Sequence, residues 1–85
     1  MSIIVYGPRG CGKTLNAARL RDFFKLRNFH DQYPNPYGRL HASPAVFNAE
    51  AVLYLTHEEP PEHLRNHPKV VRYSDAMRLM GKEQA

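Results

Sequence analysis

The chain has 85 residues, of which 42% are hydrophobic and 24% charged, with a net charge of +4 and one cysteine. This composition predicts one small globular domain, residues 1–85, and excludes both a disordered chain and an internal disulfide. No apolar run approaches the roughly 20 residues that span a bilayer, and the first residues lack a secretory signal pattern. We therefore expect a cytoplasmic protein without a membrane partner.

The positive charge is concentrated in the first half of the chain. Residues 1–40 contain seven Lys or Arg and two Asp, whereas residues 41–85 contain five Lys or Arg and six Asp or Glu. An excess of cations in one half suits an anionic ligand. Nucleic acid is one such ligand, and ordinary surface charge is the alternative.

The first elements are a strand and a helix. Residues 2–6 form a short apolar, β-branched run that Gly7 and Pro8 end, which predicts a buried strand. Residues 12–25 predict a helix, since Ala17, Leu20 and Phe24 recur at helical spacing. In this helix Leu15 and Phe23 widen the apolar stripe.

The middle of the chain is harder to interpret. Residues 26–30 are weakly strand-like. Residues 31–44 contain three prolines and a glycine, which exclude a continuous helix and favour a surface loop held by Tyr33 and Tyr37. The alternative for these two tyrosines is stacking on a base or on single-stranded nucleic acid.

The last elements continue an alternation of strand and helix. Residues 51–55 predict a second buried strand, 61–66 a short helix and 70–73 a third strand. A final helix is expected over 75–80, with Ser74 as N-cap and Gly81 as its end.

Alternating strands and helices with continuously apolar strands predict an α/β fold. We expect a small all-parallel sheet of three to four strands, flanked by helices. Strands 51–55 and 70–73 should lie on either side of 2–6, with 26–30 outermost beside 51–55.

The glycine-rich turn, residues 7–14, reads Gly-Pro-Arg-Gly-Cys-Gly-Lys-Thr and fits the pattern G-x-x-x-x-G-K-[ST] at every fixed position. Glycines let the backbone approach phosphate oxygens, so that consecutive N–H groups surround the anion. Lys13 supplies an ammonium to the phosphates, and Thr14 offers a hydroxyl to Mg²⁺. The turn follows a predicted strand and opens a predicted helix, as this motif requires.

These residues resemble the Walker A segment of the P-loop NTPases, and "IIVYGPRGCGKT" is most similar to the ATPase-type members. The two ends of the chain, "IVYGPRGCGKT" and "VVRYSDAMRLMG", also resemble small phage- and prophage-encoded P-loop proteins. The resemblance implies a minimal P-loop nucleotide-binding domain in a bacterium, or in the infected host cell if a phage encodes it. The expected nucleotide-binding residues are Gly7, Pro8, Arg9, Gly10, Cys11, Gly12, Lys13, Thr14 and Leu15.

Phosphoryl transfer also needs a carboxylate near the metal and a group near the γ-phosphate. Asp31 follows the weak strand, so it is a candidate for the Mg²⁺ shell together with Thr14; the alternative is a turn-initiating aspartate. Thr56 follows a better strand and resembles the polar γ-phosphate sensor of ATPase-type members; the alternative is a strand-end hydroxyl. The expected catalytic residues are Lys13, Thr56 and Asp31.

Other residues near the strand ends leave alternatives open. Glu58 could belong to the Mg²⁺ shell, or it could form a solvent-exposed acidic pair with Glu59. Arg9 could contact a phosphate of its own or a neighbouring nucleotide, or point to solvent. Cys11 could be a reactive thiol at a helix start or only a small side chain in a crowded turn.

The sequence thus predicts Mg²⁺-dependent binding of a nucleoside triphosphate, with ATP in first place, and weak or partner-dependent hydrolysis. A protein partner or a homo-oligomer would supply what the short chain lacks. The alternatives are a nucleic-acid- or protein-binding module with a degenerate loop, and a small-molecule kinase.

Overall fold

In the computed structural model, which describes residues 1–10 and 12–84, four parallel strands form one sheet. The strands are β1 (Ile3–Tyr6), β2 (Asn28–His30), β3 (Val52–Thr56) and β4 (Val70–Arg72). The helices are α1 (Ala17–Phe23), α2 (Tyr37–Ala42), α3 (Pro44–Glu50) and α4 (Tyr73–Gln84), and a 3-10 turn covers Glu62–Leu64.

The sheet has the predicted order, β2-β3-β1-β4, and all its pairs are parallel. The predicted α/β class and the placement of all four strands are therefore confirmed. Every residue of β1 and β3 is buried, because helices cover both faces of the sheet. The register pairs Tyr6 with Thr56, so β1 and β3 end side by side.

Alternate residues of the central strands enter two separate cores. Helices α1 and α4 cover one face, where Leu20 and Met80 pack against Val5, Leu53 and their neighbours. The α2–α3 segment and the 3-10 turn cover the opposite face. Burying each of these large apolar side chains stabilises the fold by about 1.5–3 kcal/mol.

The segment between β2 and β3 is more ordered than the sequence predicts. The prolines do exclude a continuous helix, but α2 forms between Pro36 and Pro44, and α3, which was not predicted, begins at Pro44. Pro44 occupies the start of α3, where its fixed φ and missing N–H cost nothing. Tyr37 is only 4% exposed, so it is unavailable for stacking on a nucleic acid.

Helix α1 begins at Ala17, five residues later than predicted, and ends at Phe23. Residues 13–16 form turns instead, in which the Asn16 amide N–H is shared between the carbonyls of Gly12 and Lys13, each at 3.2 Å. Leu15 therefore does not extend the apolar stripe, and its side chain is 89% exposed.

The last helix also differs from the prediction at both ends. Tyr73 begins α4 directly after β4, so Ser74 lies inside the helix and does not cap it. The helix continues through Gly81 to Gln84. A glycine costs about 1 kcal/mol relative to alanine within a helix, and this penalty was too small to end α4 here.

A polar network joins the α2–α3 segment to the sheet. The Arg39 guanidinium donates to Glu50 Oε2 at 2.7 Å, and the Tyr54 hydroxyl lies 3.1 and 3.0 Å from the two carboxylate oxygens of Glu50. The hydrogen bond from Arg39 holds the pKa of Glu50 below its ordinary value of 4.5. Ionised Glu50 therefore stabilises the folded state.

We expect Glu50→Gln to destabilise the protein at pH 7 but to lose this effect in acid. Because the folded-state pKa lies below 4.5, the stabilisation by Glu50 is present above pH 4.5 and disappears as the pH falls through the folded-state pKa. Urea unfolding of both proteins between pH 3 and pH 7 measures the difference. A difference that stays constant over this range would contradict the role given to the carboxylate.

Candidate functional site

A cavity of about 440 Å³ opens at the carboxyl ends of the strands, between the glycine-rich turn and the end of β2. Ligands of open parallel sheets bind at this edge, where loops leave the strands. We call it the strand-end cavity. Its described lining residues are Arg9, Gly10, Gly12, Lys13, Thr14, Leu15, Asp31, Gln32 and His57.

The beginning of the glycine-rich turn is fixed to the sheet. The Gly7 amide donates to the Thr56 carbonyl at 3.1 Å, which continues the pairing of β1 with β3. The Lys13 ammonium donates to the carbonyls of Gly7 at 2.8 Å and Pro8 at 2.9 Å. Lys13 thus folds back over the first residues of the turn while it also lines the cavity.

The predicted metal-shell residues meet in the structure. The Thr14 hydroxyl donates to Asp31 Oδ2 at 2.9 Å, although the two residues are 17 positions apart. The carboxyl end of β2 carries Asp31 to this position beside β3. Two oxygen groups from different elements therefore line one wall of the cavity.

The end of the glycine-rich turn is held by α4. The side-chain amide of Asn16 donates to the Gly12 carbonyl at 3.1 Å and to the Tyr73 hydroxyl at 2.9 Å. Gly12 has φ +100°, and a Cβ at this position would lie 3.2 Å from the Tyr73 oxygen. Only glycine fits at position 12 without strain, which is a physical reason for the second glycine of the pattern G-x-x-x-x-G-K-[ST].

We expect Gly12→Ala to destabilise the protein by about 1–3 kcal/mol, because a left-handed backbone and a close contact both oppose the new Cβ. Gly81→Ala is the matched control. Gly81 lies within α4 with open space around it, so this change should stabilise by about 1 kcal/mol. Thermal unfolding measures both. Equal shifts of the two melting temperatures in the same direction would contradict the positive φ of Gly12 and its close contact with Tyr73.

Three predicted site residues, Gly7, Pro8 and Thr56, are not in the described lining of the strand-end cavity. Thr56 is fully buried, and its hydroxyl oxygen accepts a hydrogen bond from the Glu58 amide at 3.1 Å, so it occupies a strand-end turn. Gly7 and Pro8 contact Lys13 through their carbonyls and are not among the described lining residues. Cys11 lies outside the described residues.

Sequence reasoning did not identify Gln32 or Tyr73 as site residues. Gln32 follows Asp31, has φ +51° and lines the cavity. Its position just after the predicted strand of residues 26–30 was the feature of the sequence that could have identified it as a site residue. Tyr73 anchors the turn from 57 residues beyond Asn16, and no local pattern reveals such a distant contact.

The charged residues that line the cavity favour a ligand that consists of a polyanion and a bound metal cation. Arg9 and Lys13 contribute two positive charges to the lining of the cavity, and Asp31 contributes one negative charge. Such an arrangement suits a polyanion at the turn and a hard cation beside the carboxylate.

No family model, curated protein or solved structure matches this chain. A functional assignment therefore depends on the residues of the strand-end cavity and their geometry. Among the described residues, no helix is long and apolar enough to cross a membrane.

Proposed function

We propose that the strand-end cavity binds the phosphates of a Mg²⁺-nucleoside triphosphate, with ATP in first place, in a minimal P-loop domain. One observation carries this proposal: the threonine of a complete G-x-x-x-x-G-K-[ST] turn is hydrogen-bonded to a strand-end carboxylate at 2.9 Å. Hydrogen bonding between Thr14 and Asp31 joins the phosphate motif to an acidic group of the kind that a metal-bound nucleotide needs.

The glycine-rich turn would bind the phosphates mainly through its backbone. Gly10 and Gly12 both have positive φ, at +77° and +100°. Glycines in this conformation let backbone N–H groups of a turn point toward an anion. Lys13 would exchange the carbonyls of Gly7 and Pro8 for phosphate oxygens. The phosphate oxygens carry a negative charge and the carbonyl oxygens do not, so the added attraction to the ammonium favours the exchange when a ligand binds.

Thr14 and Asp31 fit the demands of Mg²⁺. This ion takes oxygen ligands at about 2.0–2.1 Å in octahedral geometry, so adjacent ligands are about 2.8–3.0 Å apart. The two side-chain oxygens are 2.9 Å apart. When bound, Mg²⁺ would neutralise phosphate charge and polarise the terminal phosphoryl group. Thr14 and Asp31 would hold it, and Lys13 would neutralise part of the remaining phosphate charge.

Binding is better supported than fast hydrolysis. Thr56, the predicted γ-phosphate sensor, is buried and hydrogen-bonded within its own turn. Of the three predicted catalytic residues, Lys13 and Asp31 line the strand-end cavity. We therefore propose weak or partner-dependent hydrolysis, to which a protein partner or a second copy would contribute.

Calorimetric titration with Mg·ATP, Mg·GTP and AMP tests the proposal. We expect dissociation constants below about 1 mM for both triphosphates, and affinity for AMP at least roughly 10-fold weaker, because AMP lacks two phosphates. Phosphate release measured on the same samples reports hydrolysis. Equal affinity for AMP and ATP would show that the phosphates do not determine binding, and would reject the proposal.

A further inference from the structure

One side chain of the glycine-rich turn contacts another strand end across the strand-end cavity. Arg9 Nη2 lies 3.3 Å from His57 Nε2, and both residues line the cavity. The parallel pairing of β1 with β3 makes this contact possible. Tyr6 is paired with Thr56, so the segments that follow β1 and β3 leave the sheet side by side.

The backbone on either side of His57 is firmly held. Thr56 is fully buried in β3, and the Glu58 amide donates to its hydroxyl oxygen. The Glu58 carbonyl accepts a hydrogen bond from the Tyr37 hydroxyl at 2.6 Å. His57 thus projects an exposed imidazole from a fixed position, whereas Arg9 lies in a turn with two left-handed glycines.

The chemistry of the pair fixes the role of each partner. A guanidinium has only donors, so Nε2 of His57 must be the acceptor, and the neutral imidazole carries its proton on Nδ1. Arg9 has further N–H groups that this hydrogen bond does not use. These groups remain able to bind phosphate oxygens in the cavity.

We propose that His57 is a positioning residue that holds Arg9 at the cavity wall, where Arg9 binds the oligophosphate ligand. This inference rests on the proposed function, since Arg9 needs a phosphate to bind. Ordering a long side chain weakens binding, and His57 orders Arg9 before the ligand arrives. Arg9 thereby joins Lys13 as a second cation that contacts the phosphates.

Titration with inorganic tripolyphosphate at pH 8, where histidines are ordinarily neutral, tests the inference. We expect Arg9→Met to weaken binding by roughly 10- to 100-fold and His57→Leu by roughly 2- to 10-fold. His57→Gln should restore affinity, because a glutamine oxygen can replace Nε2 as the acceptor. Arg65→Met and His63→Leu, which change exposed residues outside the cavity, are the matched controls and should bind like the wild type.

The double variant Arg9→Met/His57→Leu separates positioning from a general effect on the fold. We expect it to bind like Arg9→Met alone, since His57 acts through Arg9. Equal losses from His57→Leu in both backgrounds would overturn the inference. So would wild-type affinity in His57→Leu alone.

A measurement without ligand tests the contact itself. Nitrogen-15 NMR of the imidazole at pH 8 should show the His57 proton on Nδ1 in the wild type, and a neutral ring with its proton on Nε2 would overturn the inference. If the wild type does not bind tripolyphosphate, both the proposed function and this inference fail. If the wild type binds, Lys13→Ala weakens binding and His57→Leu does not, only the inference fails.

Discussion

Replacing Lys13 by alanine is expected to weaken Mg·ATP binding by roughly 10- to 100-fold, the worth of a charge-assisted hydrogen bond to the phosphates. The Lys13 side chain is only 9% exposed and spans the carbonyls of Gly7 and Pro8. Its removal also leaves those carbonyls without this donor, so we expect a loss of about 1–3 kcal/mol in the free energy of unfolding.

A second variant separates these two effects of the Lys13 change. Lys13→Gln keeps N–H donors for the carbonyls but removes the charge, so it should bind as weakly as Lys13→Ala while unfolding closer to the wild type. Lys69→Gln is the matched control outside the cavity. Calorimetry and thermal unfolding measure both quantities. Wild-type affinity for Mg·ATP in a folded Lys13→Gln protein would show that the Lys13 ammonium does not contribute to binding.

Replacing Asp31 by asparagine is expected to change nucleotide affinity in opposite directions with and without Mg²⁺. With the metal, affinity should fall by roughly 10- to 100-fold, because a carboxylate that holds the ion or orients its shell is lost. Without the metal, affinity for ATP should rise a few-fold, roughly 5-fold for about 1 kcal/mol of relieved repulsion between the carboxylate and the phosphates.

This reversal of sign distinguishes metal binding by Asp31 from a structural role. Loss of the hydrogen bond from Thr14 alone would lower affinity under both conditions. Asp22→Asn is the matched control, since Asp22 lies on α1 in an exposed pair with Arg21. Titrations with ATP in Mg²⁺ and in chelator measure the effect. The same direction of change in both would contradict the role of Asp31 in the metal shell.

The sheet was predictable because local composition and connection rules both constrain it. Residues 2–6 and 51–55 are apolar without alternation, which indicates strands covered on both faces. A four-residue strand followed directly by a glycine-rich turn also fixes which end of the sheet carries the site. Asp31 was predictable as a cavity residue for the same reason, since the carboxyl ends of parallel strands share one edge.

The helices were less predictable because tertiary contacts determine their ends. Turns at residues 13–16 replace the first part of the predicted helix, while Asn16 bonds to Gly12 and to the distant Tyr73. Apolar spacing alone placed Leu15 in the core, although it lies at the cavity and is exposed. The helices of residues 37–50 pack against Tyr54 in the core on the face of the sheet opposite α1 and α4. The positions of the prolines in the sequence do not predict this tertiary contact.

The most direct test is an amide NMR titration with ATP, inorganic tripolyphosphate and adenosine. If the backbone of the glycine-rich turn binds phosphates, ATP and tripolyphosphate should shift the same amides, those of Gly10, Gly12, Lys13 and Thr14, and adenosine should leave them unchanged. Shifts with adenosine alone, or shifts confined to residues away from the strand-end cavity, would contradict phosphate binding by this turn.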